Sequence, residues 1–87
     1  MNSRHRKTLE AVFDKPTPAN VRWTDIESLL LTLGCDKIEG AGSRVRFSLN
    51  GVVAVLHRPH PGNECTKPQI RSVKEFLERA DVTADKL

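Results

Sequence analysis

Hydrophobic and polar positions follow two different periods along this chain of 87 residues. From Ile26 to Leu33 the apolar side chains recur three and four positions apart, which is the spacing of one helix face. Thr24 and Glu27 fit a capping box before that face, and Gly34 fits the end of a helix. The pattern therefore predicts a helix that is capped by Thr24 and ends before Gly34.

The middle of the chain alternates with a period of two instead. Arg44-Val45-Arg46-Phe47-Ser48-Leu49 predicts a strand with one dry and one wet face, and Val52 to His57 predicts the returning strand. Asn50-Gly51 between them is typical of a type I′ hairpin turn. A shorter strand is expected ahead of the hairpin, over Cys35 to Glu39.

A two-residue hairpin loop fixes which residues face each other across the two strands. The core face then carries six apolar side chains, which are Val45, Phe47, Leu49, Val52, Ala54 and Leu56. The other face carries three neighbour pairs, which are Arg44 with His57, Arg46 with Val55, and Ser48 with Val53. A slip of one residue would bury both arginines, and the cost of burying them disfavours it.

Two more helices are predicted outside this central region. Thr66 and Gln69 fit a second capping box before a helix with an apolar stripe. The stripe consists of Ile70, Val73, Leu77 and Ala80, with Phe76 at its edge. Near the start of the chain, Arg4 to Phe13 can form a short helix that Pro16 and Pro18 terminate. Its apolar side carries Leu9, Val12 and Phe13.

This order of elements predicts an α+β domain in which a three-stranded antiparallel sheet carries two helices on one face. The double-stranded-RNA-binding domain has the same order. We expect this domain at residues 23–82, an N-terminal helical arm and linker at residues 1–22, and a frayed tail at residues 83–87. Val53 and Val55 would lie on the outer sheet face, where the arm, a second subunit or a protein partner could cover them.

Composition and charge restrict the class of protein without naming its partner. A hydrophobic fraction of 38% and a charged fraction of 29% are typical of a globular domain rather than a disordered chain. No apolar run reaches the roughly 20 residues of a membrane span or follows the basic start as in a signal peptide. We therefore expect a cytoplasmic protein with no membrane partner. The net charge of +3 permits a nucleic-acid partner without requiring one.

Several motifs together resemble the HicA (YcfA-like) toxin family. They are Leu29-Leu30-Leu31-Thr32-Leu33-Gly34, Gly42-Ser43 before a basic strand, the hairpin, and His-x-x-His-Pro at residues 57–61. The resemblance covers residues 23–82 and leaves the arm outside. It implies a double-stranded-RNA-binding-like fold, mRNA endoribonuclease (mRNA interferase) activity without a metal or other cofactor, and a HicB antitoxin partner.

One position departs from the family's motif. The family reads Gly-Ser-His and uses that histidine in catalysis, whereas here Arg44 follows Ser43. An arginine cannot act as a general base because its pKa exceeds ~12. Proton transfer would have to come from His57 or His60, which are the candidate catalytic residues.

Four residues are candidates for binding RNA phosphate: Ser43, Arg44, Arg46 and Arg58. The planar fork of an arginine suits a phosphate, and an imidazole beside it suits proton transfer because its ordinary pKa is about 6.5. The cluster favours an RNA-directed toxin. The alternatives are a non-catalytic RNA- or protein-binding module of the same fold and an ordinary solvated sheet face.

Two smaller hypotheses concern zinc and the single tryptophan. Cys35, His57, His60 and Cys65 include the nitrogen and sulfur ligands of zinc, so a small zinc-stabilised adaptor is a third option. No Cys-x-x-Cys pair supports it, and we expect no metal. Trp23 precedes the predicted cap and is expected to act as a hydrophobic staple.

Overall fold

The structure is a computed structural model that describes residues 2–84. Its elements are α1 (Ser3–Phe13), α2 (Trp23–Thr32), β1 (Asp36–Glu39), β2 (Arg44–Leu49), β3 (Val52–His57) and α3 (Lys67–Arg79). The strands form one antiparallel sheet in the order β1-β2-β3. The predicted α+β fold is confirmed. Residues 85–87 of the predicted tail lie outside the described residues.

The β2–β3 hairpin has the predicted register. All six pairs expected for Arg44 to Leu49 are present. The turn residues Asn50 and Gly51 both have positive φ, 52° and 79°, as a type I′ turn requires. Val45 and Phe47 have no exposed surface, so the core face is the one that the alternation predicted.

One hydrophobic core lies between the sheet and the three helices. Its fully buried members are Leu9 and Val12 of α1, Ile26, Leu29 and Leu30 of α2, Val45 and Phe47 of β2, and Ile70, Val73 and Leu77 of α3. Helices α2 and α3 cover one face of the sheet and α1 packs against both of them, so the other face is left to solvent. None of the helices between residues 2 and 84 is both long and apolar enough to cross a membrane.

Helix α2 begins earlier than predicted. Arg22 is its N-cap residue and Trp23 its first residue. The hydroxyl oxygen of Thr24 accepts a hydrogen bond from the Asn63 side chain at 3.1 Å, and the Thr24 amide donates to Asn63 at 3.3 Å. The predicted capping box at Thr24 is wrong because this distant residue takes the hydroxyl. The predicted staple is wrong as well, since Trp23 is a core residue with its ring centroid 6.2 Å from that of Phe47.

Helix α3 begins with the predicted capping box. Thr66 accepts a hydrogen bond from the Gln69 amide, and the Gln69 side-chain oxygen accepts one from the Thr66 amide at 2.9 Å. The side-chain nitrogen of Gln69 also donates to the main-chain carbonyl of His57. One side chain therefore ties the start of α3 to the end of β3.

Helix α1 packs on the helical layer rather than on the outer face of the sheet. Leu9 and Val12 are each 1% exposed and join the core beside α2 and α3. The suggestion that the arm covers Val53 and Val55 is therefore wrong. Those two side chains remain 45% and 55% exposed.

Candidate functional site

The outer face of the sheet brings three of the predicted site residues together. Arg44 and Arg46 extend from β2 and His57 from β3, and all three are exposed. Arg44 and His57 are direct register partners. Their place in the hairpin makes them a non-hydrogen-bonded pair, for which the Cα atoms lie about 4.5 Å apart. A guanidinium and an imidazole at this spacing can contact one phosphodiester group together.

The loop that carries Ser43 is held closely against its neighbouring strands. The Arg58 amide donates to the Ser43 carbonyl at 2.9 Å, and the Gly40 amide donates to the Arg44 carbonyl at 2.8 Å. A Cβ atom on Gly40 would lie 3.1 Å from that Arg44 oxygen, so a side chain at this position would push the start of β2 away. Ser43 itself is exposed at this end of the sheet.

Arg58 differs from the other candidate arginines because carboxylates already hold its guanidinium. Its Nη1 and Nη2 atoms donate to the two carboxylate oxygens of Glu39, each at 2.6 Å, and Nη2 lies 3.3 Å from Glu27. The Nζ atom of Lys37 lies 3.0 Å from Glu27 and 3.1 Å from Glu39. These four side chains, the ion-pair cluster, connect α2 and β1 with the residue that follows β3.

The ion-pair cluster shifts the titration of three of its members. The hydrogen bond from Arg58 lowers the pKa of Glu39 to about 2, and the bond from Lys37 adds to this effect. The hydrogen bond to Glu27 raises the pKa of Lys37, and the one to Glu39 raises the pKa of Arg58. These three groups therefore keep their charges throughout the neutral range.

Arg44 and Arg46 are available for a ligand in a way that Arg58 is not. Within residues 2–84, neither side chain takes part in an ion pair or a side-chain hydrogen bond. Arg46 lies between Ile38 of β1 and Val55 of β3 in the register. An arginine between aliphatic neighbours can rest its methylene stem on them while its fork stays in water.

The two candidate histidines occupy different kinds of position. His57 lies on the sheet, where its register partner is fixed. His60 is exposed in the loop after β3, and its peptide bond to Pro61 is cis. The far end of this loop is fixed by a hydrogen bond of 2.8 Å from the Cys65 amide to the Val21 carbonyl. His57 therefore has Arg44 as a fixed neighbour in the sheet, whereas His60 has no register partner.

The two cysteines lie apart from this surface. Cys35 and Cys65 are 7% and 3% exposed, and burial raises the pKa of each thiol to about 11. In the part of the chain that the structure describes, no three side chains of histidine, cysteine, aspartate or glutamate gather as a metal site requires. The hypothesis of a zinc-stabilised adaptor thus gains no support from residues 2–84.

The sequence patterns do not predict the ion-pair cluster, whose members Glu27, Lys37 and Glu39 are not among the predicted site residues. The available signal was the reversed alternation of β1. Lys37 and Glu39 occupy its helix-side positions, and Ile38 points outward with 58% of its surface exposed. Charged side chains on that side of an edge strand require counter-charges nearby, and Glu27 and Arg58 supply them.

Comparison with known proteins gives a match to a family model over residues 23–82, and the model describes the HicA toxin of bacterial toxin-antitoxin systems. The matched segment runs from α2 through α3 and includes the whole sheet with its exposed basic face. Helix α1 lies outside it. No curated protein and no solved structure matches the chain significantly.

Proposed function

This chain belongs to the HicA toxin family, and on that premise we propose that it acts in the cytoplasm as an mRNA endoribonuclease that needs no metal. Family membership makes it the toxin of a toxin–antitoxin pair, so it has an antitoxin partner. We further propose that this partner is of the HicB kind, that the target is mRNA, and that the toxin cuts it.

The pairing of Arg44 with His57 across the hairpin is the observation that carries the proposal. Cleavage without a metal needs a base that removes the proton of the 2′-hydroxyl, and an acid that protonates the leaving 5′-oxygen. The 2′-oxygen forms a bond to phosphorus as the bond from phosphorus to the 5′-oxygen breaks. An imidazole can move the proton, while Arg44 and Arg46 stabilise the extra negative charge of the phosphorane.

The remaining site residues take supporting roles in this proposal. His60 is the candidate for the second proton transfer. The Ser43 hydroxyl can donate a hydrogen bond to a phosphate oxygen at the same end of the sheet. Arg58 holds the end of β3 through Glu39, and any contact with phosphate would use the donors that the carboxylates leave free.

A non-catalytic RNA-binding module is the second candidate function, and one observation favours it. Arg44 stands where the resemblance places the family's catalytic histidine. A guanidinium at that position can bind phosphate more tightly but cannot accept the proton of a hydroxyl group. In this alternative the basic face binds RNA and leaves it intact.

The two candidates are separated by inducing the chain in a bacterium beside its His57→Ala and His60→Ala variants. Growth and the integrity of transcripts are measured together. His5→Gln is the matched control, because His5 lies in α1 and its Nε2 contacts the Ser28 hydroxyl at 2.7 Å, a contact that glutamine can keep.

Endoribonuclease activity predicts growth arrest and cut mRNA for the wild type and for His5→Gln. At least one of the two alanine variants should abolish both effects, and loss in both would assign one proton transfer to each histidine. Intact transcripts with the wild type, at a protein level that is confirmed by immunoblot, would reject catalysis in favour of the binding module.

A further inference from the structure

The two edges of the sheet differ in how they are protected against strand addition. β3 is an edge strand, and its six residues Val52–His57 include no lysine, aspartate, glutamate or proline and no bulge in the pairing with β2. The other edge strand, β1, carries Asp36, Lys37 and Glu39. Charged side chains on an edge strand discourage pairing with another strand. The edge at β1 is therefore protected, whereas the edge at β3, the open edge, is not.

The backbone groups that face the open edge follow from the hairpin. The pair that closes a two-residue loop is hydrogen-bonded, so alternate residues of β3 turn their N–H and C=O groups away from β2. These are Val53, Val55 and His57. The His57 carbonyl accepts the hydrogen bond from Gln69, in agreement with this orientation. Within residues 2–84, the backbone groups of Val53 and Val55 have no such partner outside the sheet.

The space beside the open edge is free enough for another strand. A groove of about 210 Å³ runs between β3 and α3. Its lining consists of Val53 to Leu56 together with Ser72, Glu75, Phe76 and Arg79. A second hollow of about 150 Å³ extends it toward His57. Helix α3 therefore borders the edge without covering it.

We propose that a second copy of this chain occupies the open edge, with the two β3 strands antiparallel about a two-fold axis at Ala54. Val53 of each copy then faces Val55 of the other, and the open backbone groups form four hydrogen bonds. The two sheets become one sheet of six strands, and four half-exposed valines share one apolar patch.

The register follows from the groups that are available. An axis at Ala54 pairs Val53 with Val55 and, on the core side, Val52 with Leu56, so every opposed pair is apolar. An axis at Val55 would oppose Val53 to His57 and need the His57 carbonyl, which Gln69 already holds. An axis between two residues would oppose side chains that belong to different faces.

The charges along the groove favour a second copy over a partner of one sign. Glu75 and Arg79 lie one turn apart on α3, and both line the groove. The two-fold axis makes the two α3 helices antiparallel, so the groove residues of one copy, which carry both signs of charge, face the same residues of the other copy. An isologous interface must complement itself, and a surface with both signs of charge satisfies this condition.

The test is a charge exchange across the proposed register, read out by sedimentation velocity of the full chain over a concentration series without RNA. Val53→Lys and Val55→Glu each place a charge opposite a valine, so each should weaken the dimer. Because two pairs change per dimer, each substitution should raise the dissociation constant of the dimer about tenfold. The double variant opposes lysine to glutamate twice and should recover most of that loss.

Ile38→Lys is the matched control, because Ile38 is exposed on the same face of the sheet but lies on β1. It should leave the dimer unchanged, and circular dichroism verifies that each variant is folded. A wild-type chain that stays monomeric at every concentration overturns the proposal and leaves the edge to a strand of the antitoxin. Failure of the double variant to recover overturns the register. Neither result depends on whether the protein cuts RNA.

Discussion

Arg58 and Glu39 form a bidentate ion pair in which both nitrogen–oxygen distances are 2.6 Å. Arg58 follows His57 directly, and Glu39 is the last residue of β1, so the pair crosses the start of β2 on the helix side of the sheet. The exposed Arg44 and His57 lie on the opposite side of that same end. The ion pair therefore supports the surface that carries the candidate site without lying on it.

The first prediction concerns the pH dependence of stability through Glu39. Hydrogen bonds from Arg58 and Lys37 lower its pKa from the ordinary 4.5 to about 2 in the folded protein. The ionised carboxylate therefore stabilises the folded state at pH values above 4.5, and this contribution is lost as the pH falls from 4.5 to 2. Glu39→Gln should lower the urea midpoint by a constant amount between about pH 5 and pH 8, and by a vanishing amount near pH 2. An equal difference at all pH values would show that the charge of Glu39 does not matter.

The second prediction concerns the salt dependence of RNA binding. Replacing Arg44 or Arg46 by glutamine should weaken binding to a labelled single-stranded RNA, measured by fluorescence anisotropy. Each replacement should reduce the slope of log affinity against log salt by about 0.7, because one phosphate contact is lost. Arg71→Gln, which removes an exposed charge from α3, should change the slope far less. Equal effects of all three substitutions would indicate unspecific attraction to the whole protein.

The third prediction tests whether the arm belongs to the core. Leu9 is 1% exposed, so Leu9→Ala should cost about 2–5 kcal/mol of unfolding free energy, measured by urea denaturation. Glu10→Ala, at the exposed neighbouring position, should cost less than about 0.5 kcal/mol. A small loss from both substitutions would mean that α1 detaches in solution.

The fourth prediction uses the single tryptophan as a reporter of the core. Trp23 packs against Phe47 on the buried side of the sheet, so Phe47→Ala should cost about 3–5 kcal/mol and shift the tryptophan emission to longer wavelength. Leu31→Ala removes a leucine that is 47% exposed and should change neither quantity appreciably. An unshifted emission in Phe47→Ala would contradict the packing of the two rings.

The hairpin could be predicted from the sequence because all of its determinants are local. Asn50-Gly51 sets the turn and the alternation sets the faces, and together they predict the observed pair of Arg44 with His57. The start of α3 was equally accessible, since both halves of its capping box lie within four residues. Local rules were sufficient at these two places, whereas the equally local capping box at Thr24 is wrong because the distant Asn63 bonds to that hydroxyl.

The features that the sequence did not predict depend on partners far along the chain. Asn63 takes the hydroxyl of Thr24, and no local pattern indicates this contact. The apolar side of α1 was recognised, but periodicity does not tell which surface such a side will cover. The ion pair of Arg58 with Glu39 could not be predicted for the same reason, because nineteen positions separate the two residues and only the folded sheet brings them together.

Gln69 couples the end of β3 to the start of α3 during local unfolding. Its side chain holds the Thr66 amide and the His57 carbonyl at once, so fraying of the first helical turn releases the last residue of the strand in the same event. We therefore expect the two segments to open together, although a loop separates them. The hydrogen bond of Gln69 therefore couples the candidate histidine on β3 to a helix that contributes no proposed site residue of its own.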